Sequence, residues 1–344
     1  MFDSNIISRD GNGQYTMKKR ADIVSLRAIA IIFVALGHSI IIYSSDWSLY
    51  KTAVECTFLD HLKDVINVIQ MPLFFSISGF CLIYTMRKSN PISMFIIDKI
   101  RRILIPFLII GVFWLYPIRL ISKYPPYYDK NLFSVIFYDI ILGKDNGHLW
   151  FLPTLFFMLL ITYCIGVWTK FNPDMHTRNT IYFYALIILI AVATMALPFN
   201  LPYLDQFGQY YIFFVVGILI HQYDYLVARN SLAILFSTIV MITAFAAIWM
   251  GLDKLIMTKA VSLLCTLYAY YVIPNSTNKI LSHLSKNSMG IYLFHSPLVY
   301  LSYCFYPNIS PWLMVLINFV GFGGIAYLLT SACRKAHLGF IIGE

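Results

Sequence analysis

The chain of 344 residues is 59% apolar and only 12% charged, with a mean hydropathy of +0.72. An average soluble domain is about 45–50% apolar and about 25% charged, so this composition excludes a water-soluble protein, a disordered chain and a coiled coil. The net charge is +9. Because membrane proteins collect Lys and Arg in their cytoplasmic loops, we interpret this charge as a topology signal and expect no nucleic-acid partner.

Apolar runs of about 20 residues, the length that a membrane-crossing helix needs, follow one another along the chain. They span residues 23–45, 65–86, 103–122, 149–169, 180–198, 207–221, 231–251, 258–274, 288–306 and 311–332. The runs are continuous and lack the alternation of β-barrel strands. The sequence therefore predicts an all-α polytopic membrane protein with about ten transmembrane helices. The sixth and eighth runs are short, which leaves nine or eleven as alternative counts.

The basic residues predict the orientation, because loops rich in Lys and Arg stay in the cytoplasm. Placing both termini in the cytoplasm puts about two thirds of the Lys and Arg on that side. We predict a cytoplasmic N-terminal segment at 1–22, a ten-helix membrane domain at 23–333 and a cytoplasmic tail at 334–344. No cleavable signal peptide is visible. The expected location is the inner (cytoplasmic) membrane, with several passes and contact with membrane lipids.

The six cysteines show no paired spacing and lie mostly inside apolar runs, which predicts neither a disulfide framework nor a metal site. The longest external segment, about 122–148, contains Pro–Pro and Tyr–Tyr pairs. It is either a stiff loop that contributes to a substrate mouth or a plain connector.

Arg27 and His38 lie eleven positions apart in the first run, and both are costly inside a membrane. Eleven residues complete about three turns, so both side chains point to one face, about 16 Å apart along the axis. Arg27 then lies near the cytoplasmic end and His38 beyond the midplane. Such a stripe could bind a long anionic ligand that carries a thioester, with His38 as general base. The alternative is an interfacial anchor and a hydrogen-bonded core histidine.

Further polar residues mark other runs. Lys99, Arg101 and Arg102 lie just before the third run. They either hold this end of the helix in the cytoplasm or bind the phosphates of a cytosolic nucleotide. Ser78 lies in a run interrupted by Pro72 and Gly79, as in a kinked packing helix.

Two more groups lie in the fourth and ninth runs. His148 and Trp150 lie near the outer interface. Ser288, Tyr292 and His295 share one helical face, which points into the bundle or a cavity. Alternatively, these side chains only form hydrogen bonds between helices, and the sequence favours neither interpretation.

Five strings resemble, in their order, the motif series of the integral-membrane acyltransferase-3 family, which includes O-acetyltransferases of bacterial lipopolysaccharide and other surface glycans. The strings are DIVSLRAIAIIFVALGHS, QMPLFFSISGF, KIRRILIPF, GHLWFLP and SMGIYLFHSPL, between residues 22 and 298. One such string is a weak signal, but five in the family's order cover most of the chain. Residues of about 170–280 add only hydrophobicity to the resemblance.

The resemblance implies ten spans, acyl-CoA that binds from the cytosol and a glycan or lipid-linked sugar acceptor reached from outside. It implies Arg27 and His38 as the catalytic pair, with His38 as general base or acyl acceptor. Its basic motif matches Lys99, Arg101 and Arg102, which would bind acetyl-CoA or another acyl-CoA as donor substrate. No bound cofactor and no metal are expected.

The remaining motif residues are expected to line the substrate site. These are Ser78, His148, Trp150, Tyr292 and His295. A polysaccharide exporter or flippase of the same architecture is the alternative function, and a structural partner in a glycan-assembly complex is a third.

Overall fold

A computed structural model describes residues 5–9, 15–197, 199–223, 231–250 and 255–344. Strands β1 (Asn5–Arg9) and β2 (Tyr15–Lys19) pair as an antiparallel hairpin within the predicted N-terminal segment, whose residues 1–4 and 10–14 lie outside the described residues. The remainder of the described chain is helical, apart from its connecting segments.

Apart from α4, which lies within the segment predicted as an external loop or connector at about 122–148, the helices follow the predicted runs in chain order. They are α1 (Ala21–Ser39), α2 (Thr57–Arg87), α3 (Ile92–Ile121), α4 (Leu132–Ile141), α5 (Gly147–Trp168), α6 (Arg178–Ala196), α7 (Pro202–Gln222), α8 (Ser231–Trp249), α9 (Leu255–Val272), α10 (Lys279–Phe305) and α11 (Pro311–Lys335). Residues 198 and 251, which end two of the predicted runs, lie outside the described residues.

Seven helices of the described chain are long and apolar enough to cross a membrane, namely α1, α2, α3, α5, α6, α7 and α11. The helices α8, α9 and α10 coincide with three further predicted runs but are not among these seven. The all-α, membrane-spanning architecture is therefore confirmed, whereas ten spans and cytoplasmic termini stay predictions. In that predicted orientation, the end of the bundle at Ser39 is here named the outer side and the end at Ala21 the inner side.

Two prolines explain the irregular course of α3. Pro106 and Pro117 lack the N–H that a regular helix needs, and each follows a π-helical turn, at Ile100–Leu104 and at Gly111–Leu115. The wider turn accommodates the missing hydrogen bond, so α3 continues through both prolines. The first π turn carries Arg101.

Helix α2 occupies the centre of the bundle and packs against α1, α5, α7, α8 and α9, with its most extensive contact on α7. Two glycines explain how closely α2 and α7 approach. A β-carbon on Gly79 of α2 would overlap the backbone of Phe214, and one on Gly217 of α7 would overlap the backbone of Ser76. Small residues let helix backbones meet directly in a membrane, where packing drives association.

We predict that Gly79→Ala and Gly217→Ala each destabilise the bundle by about 1–3 kcal/mol, the typical effect of overpacking a close contact. The added methyl group meets rigid backbone, which cannot move aside as a flexible side chain does. The thermal unfolding midpoint of the detergent-solubilised protein measures the effect.

Gly321→Ala is the matched control, because the described residues place no atom within 4 Å of its new methyl group. Alanine is the better helix former, so this variant should unfold at the same temperature or slightly higher. Equal midpoints for all three variants would contradict the close α2–α7 contact.

Candidate functional site

Three imidazole rings from distant parts of the chain meet near the outer side. His38 lies in the last turn of α1, His148 in the first turn of α5 and His295 in the middle of α10. The ring centroids lie 5.1 Å apart for His38 and His295, 6.1 Å for His38 and His148, and 6.0 Å for His148 and His295. The predicted residues His38, His148 and His295 therefore form one cluster, here named the histidine cluster.

The hydrogen bonds of this cluster assign the proton positions. The Nδ1 of His295 lies 2.7 Å from the carbonyl oxygen of Ile291, which can only accept, so Nδ1 carries the proton. The Nε2 of the neutral ring is then an acceptor, and the Nδ1 of His38 donates to it at 2.9 Å. In neutral His38 this leaves Nε2 with a lone pair, which is the state that a general base needs.

A proline in α10 explains how His148 is oriented. Pro297 has no N–H, so the carbonyl of Leu293, four residues earlier, lacks its usual helical donor. The Nε2 of His148 donates to this carbonyl at 3.2 Å. The hydroxyl of Tyr292 donates to the backbone carbonyl of His148. Tyr292, predicted to contact the substrate, thus positions His148.

Exposure separates the three rings. His148 and His295 are only 5% and 2% exposed, whereas His38 is half-buried. His38 is therefore the member of the cluster that a substrate reaches first. The Nδ1 of His148 is buried and meets no hydrogen-bond partner among the described residues. The described residues contain no group of His, Cys, Asp and Glu arranged to bind a metal ion.

The backbone at the end of α1 is bonded to the last two helices of the bundle. The hydroxyl of Tyr303 donates to the carbonyl of His38 at 2.6 Å. The amide of Asn318 in α11 donates to the carbonyl of Ser39 at 3.3 Å, and Ser302 donates to Asn318 at 2.6 Å. These bonds satisfy carbonyls that the end of a helix leaves without partners, and they keep His38 in place.

A polar row on α2 faces α1 beside His38. Lys63 donates to Asn67 at 2.7 Å, and Gln70 donates to the same oxygen at 2.8 Å. A β-carbon on Gly37 would lie only 2.8 Å from the Oε1 of Gln70 and 3.3 Å from the Nζ of Lys63. Counting basic residues for the orientation puts Lys63 on the outer side. The residue lies within α2, ahead of the apolar run predicted at 65–86, and it is 5% exposed.

Arg27 lies near the inner end of α1 and is buried. Its guanidinium approaches the Sγ of Cys81 on α2 at 3.9 Å, whereas His38 bonds to α10. The two side chains share one helix but contact different neighbours. Their catalytic pairing stays a prediction.

The predicted donor-binding residues gather at the inner start of α3, where an acidic residue balances two of them. Asp98 accepts from Lys99 at 2.9 Å and from Arg102 at 2.8 Å. Lys99 is buried, while the side chain of Arg101 is exposed. Arg101 is therefore the most accessible member of this trio.

Two predicted substrate residues, Ser78 and Trp150, make contacts outside the histidine cluster. The hydroxyl of Ser78 donates to the carbonyl of Phe74 within α2, at 2.7 Å. Trp150 stacks on Tyr210, with ring centroids 5.4 Å apart, and lies near Phe75. Both are placed to pack helices, and their contact with a substrate stays a prediction.

Arg119 forms a second buried cluster beside His148 that the sequence did not reveal. Its side chain is 0% exposed, donates to the side chain of Asp145 at 3.1 Å and to the hydroxyl of Tyr300 at 3.1 Å, and lies over the ring of Tyr124 at 4.1 Å. These contacts fix the segment that leads into α5, and so the position of His148. An arginine inside an apolar run was the available signal.

Comparison with known proteins supplies the family. A family model described as an acyltransferase domain matches residues 20–333, nearly the whole chain. No curated protein and no solved structure gives a significant match. The match begins before α1 and ends inside α11, so it includes all three histidines of the cluster. The chain therefore belongs to the acyltransferase-3 family of membrane acyltransferases.

Proposed function

We propose that this acyltransferase moves an acetyl group from cytosolic acetyl-CoA to a sugar hydroxyl of a surface or lipid-linked glycan, with His38 as the general base. The observation that carries the proposal is the hydrogen-bond chain from the carbonyl of Ile291 through His295 to His38. This chain directs the lone pair of His38 Nε2 away from its protein partner and toward an incoming hydroxyl.

The transfer balances with His38 as the proton carrier. Nε2 takes the proton of the sugar hydroxyl while the oxygen attacks the thioester carbonyl, which forms the C–O bond. The tetrahedral intermediate then expels the thiolate of CoA as the C–S bond breaks. The thiolate takes the proton from His38, which restores the neutral ring and gives CoA and an O-acetyl sugar.

His295 contributes through His38. While His38 carries the extra proton, its Nδ1–H donates from a cationic ring to the neutral Nε2 of His295. A hydrogen bond from a charged donor is about twice as strong as a neutral one. Since this gain exists only after proton transfer has begun, it favours the transition state over the ground state.

The donor is proposed to bind from the inner side. Arg27, Lys99, Arg101 and Arg102 are cations on that side, and phosphates of CoA are their natural partners. The thioester then reaches His38 along α1, over an axial distance of about 16 Å. In the predicted orientation the acceptor approaches from outside, where α1 ends.

His38→Ala is expected to lower transfer by about 10²–10⁴-fold, the usual contribution of a general base. A strain that lacks the gene is complemented with wild type, His38→Ala or His283→Ala, and mass spectrometry of the surface glycan measures base-labile acyl groups. His283 is exposed on α10 and serves as the matched control. Immunoblots of the membrane fraction check that protein levels are equal.

Full acylation by a well-expressed His38→Ala protein would refute the base assignment. Loss of the whole glycan on deletion, with acylation of the remaining glycan unchanged, would indicate an exporter. The mass added by the wild type identifies the acyl group.

His295→Leu should lower kcat by about 10–100-fold, because it removes a hydrogen bond to a group that becomes charged. His295→Gln, whose carbonyl oxygen can accept from His38, should recover part of that rate. Transfer of labelled acetyl groups in membrane vesicles that contain the native acceptor measures both. Equal rates for the Leu and Gln variants would contradict the positioning role and leave only a packing role.

Arg101→Ala is expected to raise the dissociation constant of acetyl-CoA about tenfold, the effect of one lost charge-assisted contact. Calorimetric titration of the purified protein gives this constant without an acceptor. Arg178→Ala removes another exposed arginine on the predicted inner side and should bind like wild type. An unchanged constant for Arg101→Ala would exclude Arg101 from the donor site.

A further inference from the structure

Residues 336–344, which follow α11, fold back against the inner side of the bundle and are here named the return segment. His337 has a positive φ of 56°, and the N–H of Leu338 donates to the carbonyl of Cys333 at 2.8 Å. This is a Schellman motif, which ends α11 and turns the chain back. A short helical turn, Gly339–Ile342, then packs against α3, α10 and α11. The segment is therefore part of the packed bundle.

Two side-chain contacts hold the return segment in place. Ile342 is only 1% exposed and belongs to the main hydrophobic core, whereas Phe340, two residues earlier, is 48% exposed. The carboxylate of Glu344 accepts from the Nε of Arg334 at 2.7 Å and from its Nη2 at 2.5 Å. Arg334 also donates to the side chain of Asn287 in α10, at 2.5 Å. An apolar contact and a charged contact thus attach the segment to the bundle.

Gly343 brings the return segment onto the first π turn of α3. Its φ of 75° is one that residues with a side chain rarely adopt. A β-carbon at this position would overlap the carbonyl oxygen of Arg102. Pro106 has no N–H, so this carbonyl cannot receive the α-helical hydrogen bond from the residue four positions later. The segment therefore meets α3 where the regular hydrogen bonding of that helix is interrupted.

This π turn carries the most accessible cation of the proposed donor site. Arg101 lies next to Arg102 in the turn Ile100–Leu104, and its side chain is exposed. The side chains of Lys99 and Arg102 are held by Asp98. No ion pair of the described residues includes Arg101, so the backbone of the turn sets the direction in which this side chain leaves the helix. A contact that fixes the turn thus also orients Arg101.

We propose that the return segment is a positioning element of the donor site, in which Ile342 and Gly343 fix the π turn and so orient Arg101 toward the phosphates of the acyl donor. This assignment rests on the proposed function, because the direction of Arg101 matters only if this residue binds the donor. The segment itself makes no contact with the donor. A turn that is already ordered lowers the cost of binding, so the segment acts on donor affinity and not on the chemical step.

Gly343→Ala tests the assignment in the full-length protein in detergent, with acetyl-CoA as the probe. The added methyl group overlaps backbone at a strained positive φ, so the contact with Arg102 is lost. Calorimetric titration should give a dissociation constant about three- to tenfold above that of the wild type, which is no more than the effect of removing Arg101. Ile342→Ala should act in the same direction, and Ile342→Val should restore most of the affinity.

Phe340→Ala and Gly143→Ala are the matched controls. Phe340 is the exposed neighbour of Ile342 in the same segment. Gly143 also has a positive φ, of 82°, and a β-carbon there would overlap the side chain of Tyr203, but this glycine lies on the outer side, between α4 and α5. Both variants should bind acetyl-CoA like wild type, although Gly143→Ala should unfold at a lower temperature. A general loss of stability is thereby distinguished from a loss of donor affinity.

Two further measurements separate positioning from packing. In membrane vesicles, Gly343→Ala should raise the KM for acetyl-CoA and leave kcat unchanged, whereas a purely structural defect would lower kcat by reducing the active fraction. In a protein that already carries Arg101→Ala, Gly343→Ala should cause no further loss of affinity. The reason is that two changes acting through one residue are not additive.

The outcomes separate this inference from the proposed function. Suppose that Arg101→Ala weakens acetyl-CoA binding while Gly343→Ala and Ile342→Ala bind like wild type. The positioning role is then overturned and the proposed donor site stands. The same conclusion follows if Gly343→Ala weakens binding equally with and without Arg101, or lowers kcat at an unchanged KM. If Arg101→Ala itself binds like wild type, the donor role of Arg101 is overturned, and this inference with it.

Discussion

The hydrogen bond between His38 and His295 joins the first long helix to the tenth and depends on a fixed direction of donation. A neutral imidazole has one donor and one acceptor, so a pair of them can be bonded in either sense. The carbonyl of Ile291 removes this ambiguity by taking the proton of His295 Nδ1. One backbone carbonyl thus determines which nitrogen of neutral His38, on another helix, keeps its lone pair.

The surrounding structure keeps that pair in register. Helices α1 and α10 pack along each other, and Tyr303 and Asn318 bind the carbonyls at the end of α1. Pro297 frees a carbonyl in α10 that orients His148. The same proline would be a defect in an isolated helix, at about 3 kcal/mol. Here the carbonyl of Leu293 that Pro297 leaves free accepts a hydrogen bond from His148 of α5. The break in the hydrogen bonding of α10 therefore orients a residue of the site.

The sequence predicted the helices and the polar residues of the site, but not their partners. Composition and run lengths suffice for a membrane bundle, because lipid leaves few other ways to satisfy the backbone. Helical spacing placed Tyr292 and His295 on one face, and the structure has both residues among the contacts of His148 and His38. The contact of His38 with His295 joins residues 257 positions apart. The spacing of polar residues shows only which side chains share a face of one helix, so it cannot predict a contact between two helices.

The position of a charged residue near the end of a helix was also beyond what the sequence could predict. The predicted apolar run at 65–86 begins after Lys63, yet α2 starts at Thr57 and buries Lys63 beside Gly37. A lysine inside a helix end and a lysine in a loop look alike in sequence. What distinguishes them is a polar partner such as Asn67, one turn further along α2.

The positions of these groups restrict the order of events along α1. His38 lies in the last turn of the helix and is half-buried, while His148 and His295 behind it are nearly inaccessible. In the proposed reaction the hydroxyl reaches the exposed part of His38, where water also has access. Under the proposed mechanism, productive transfer requires that the acceptor displace water before the thioester arrives, since a thioester beside an unoccupied base would be hydrolysed.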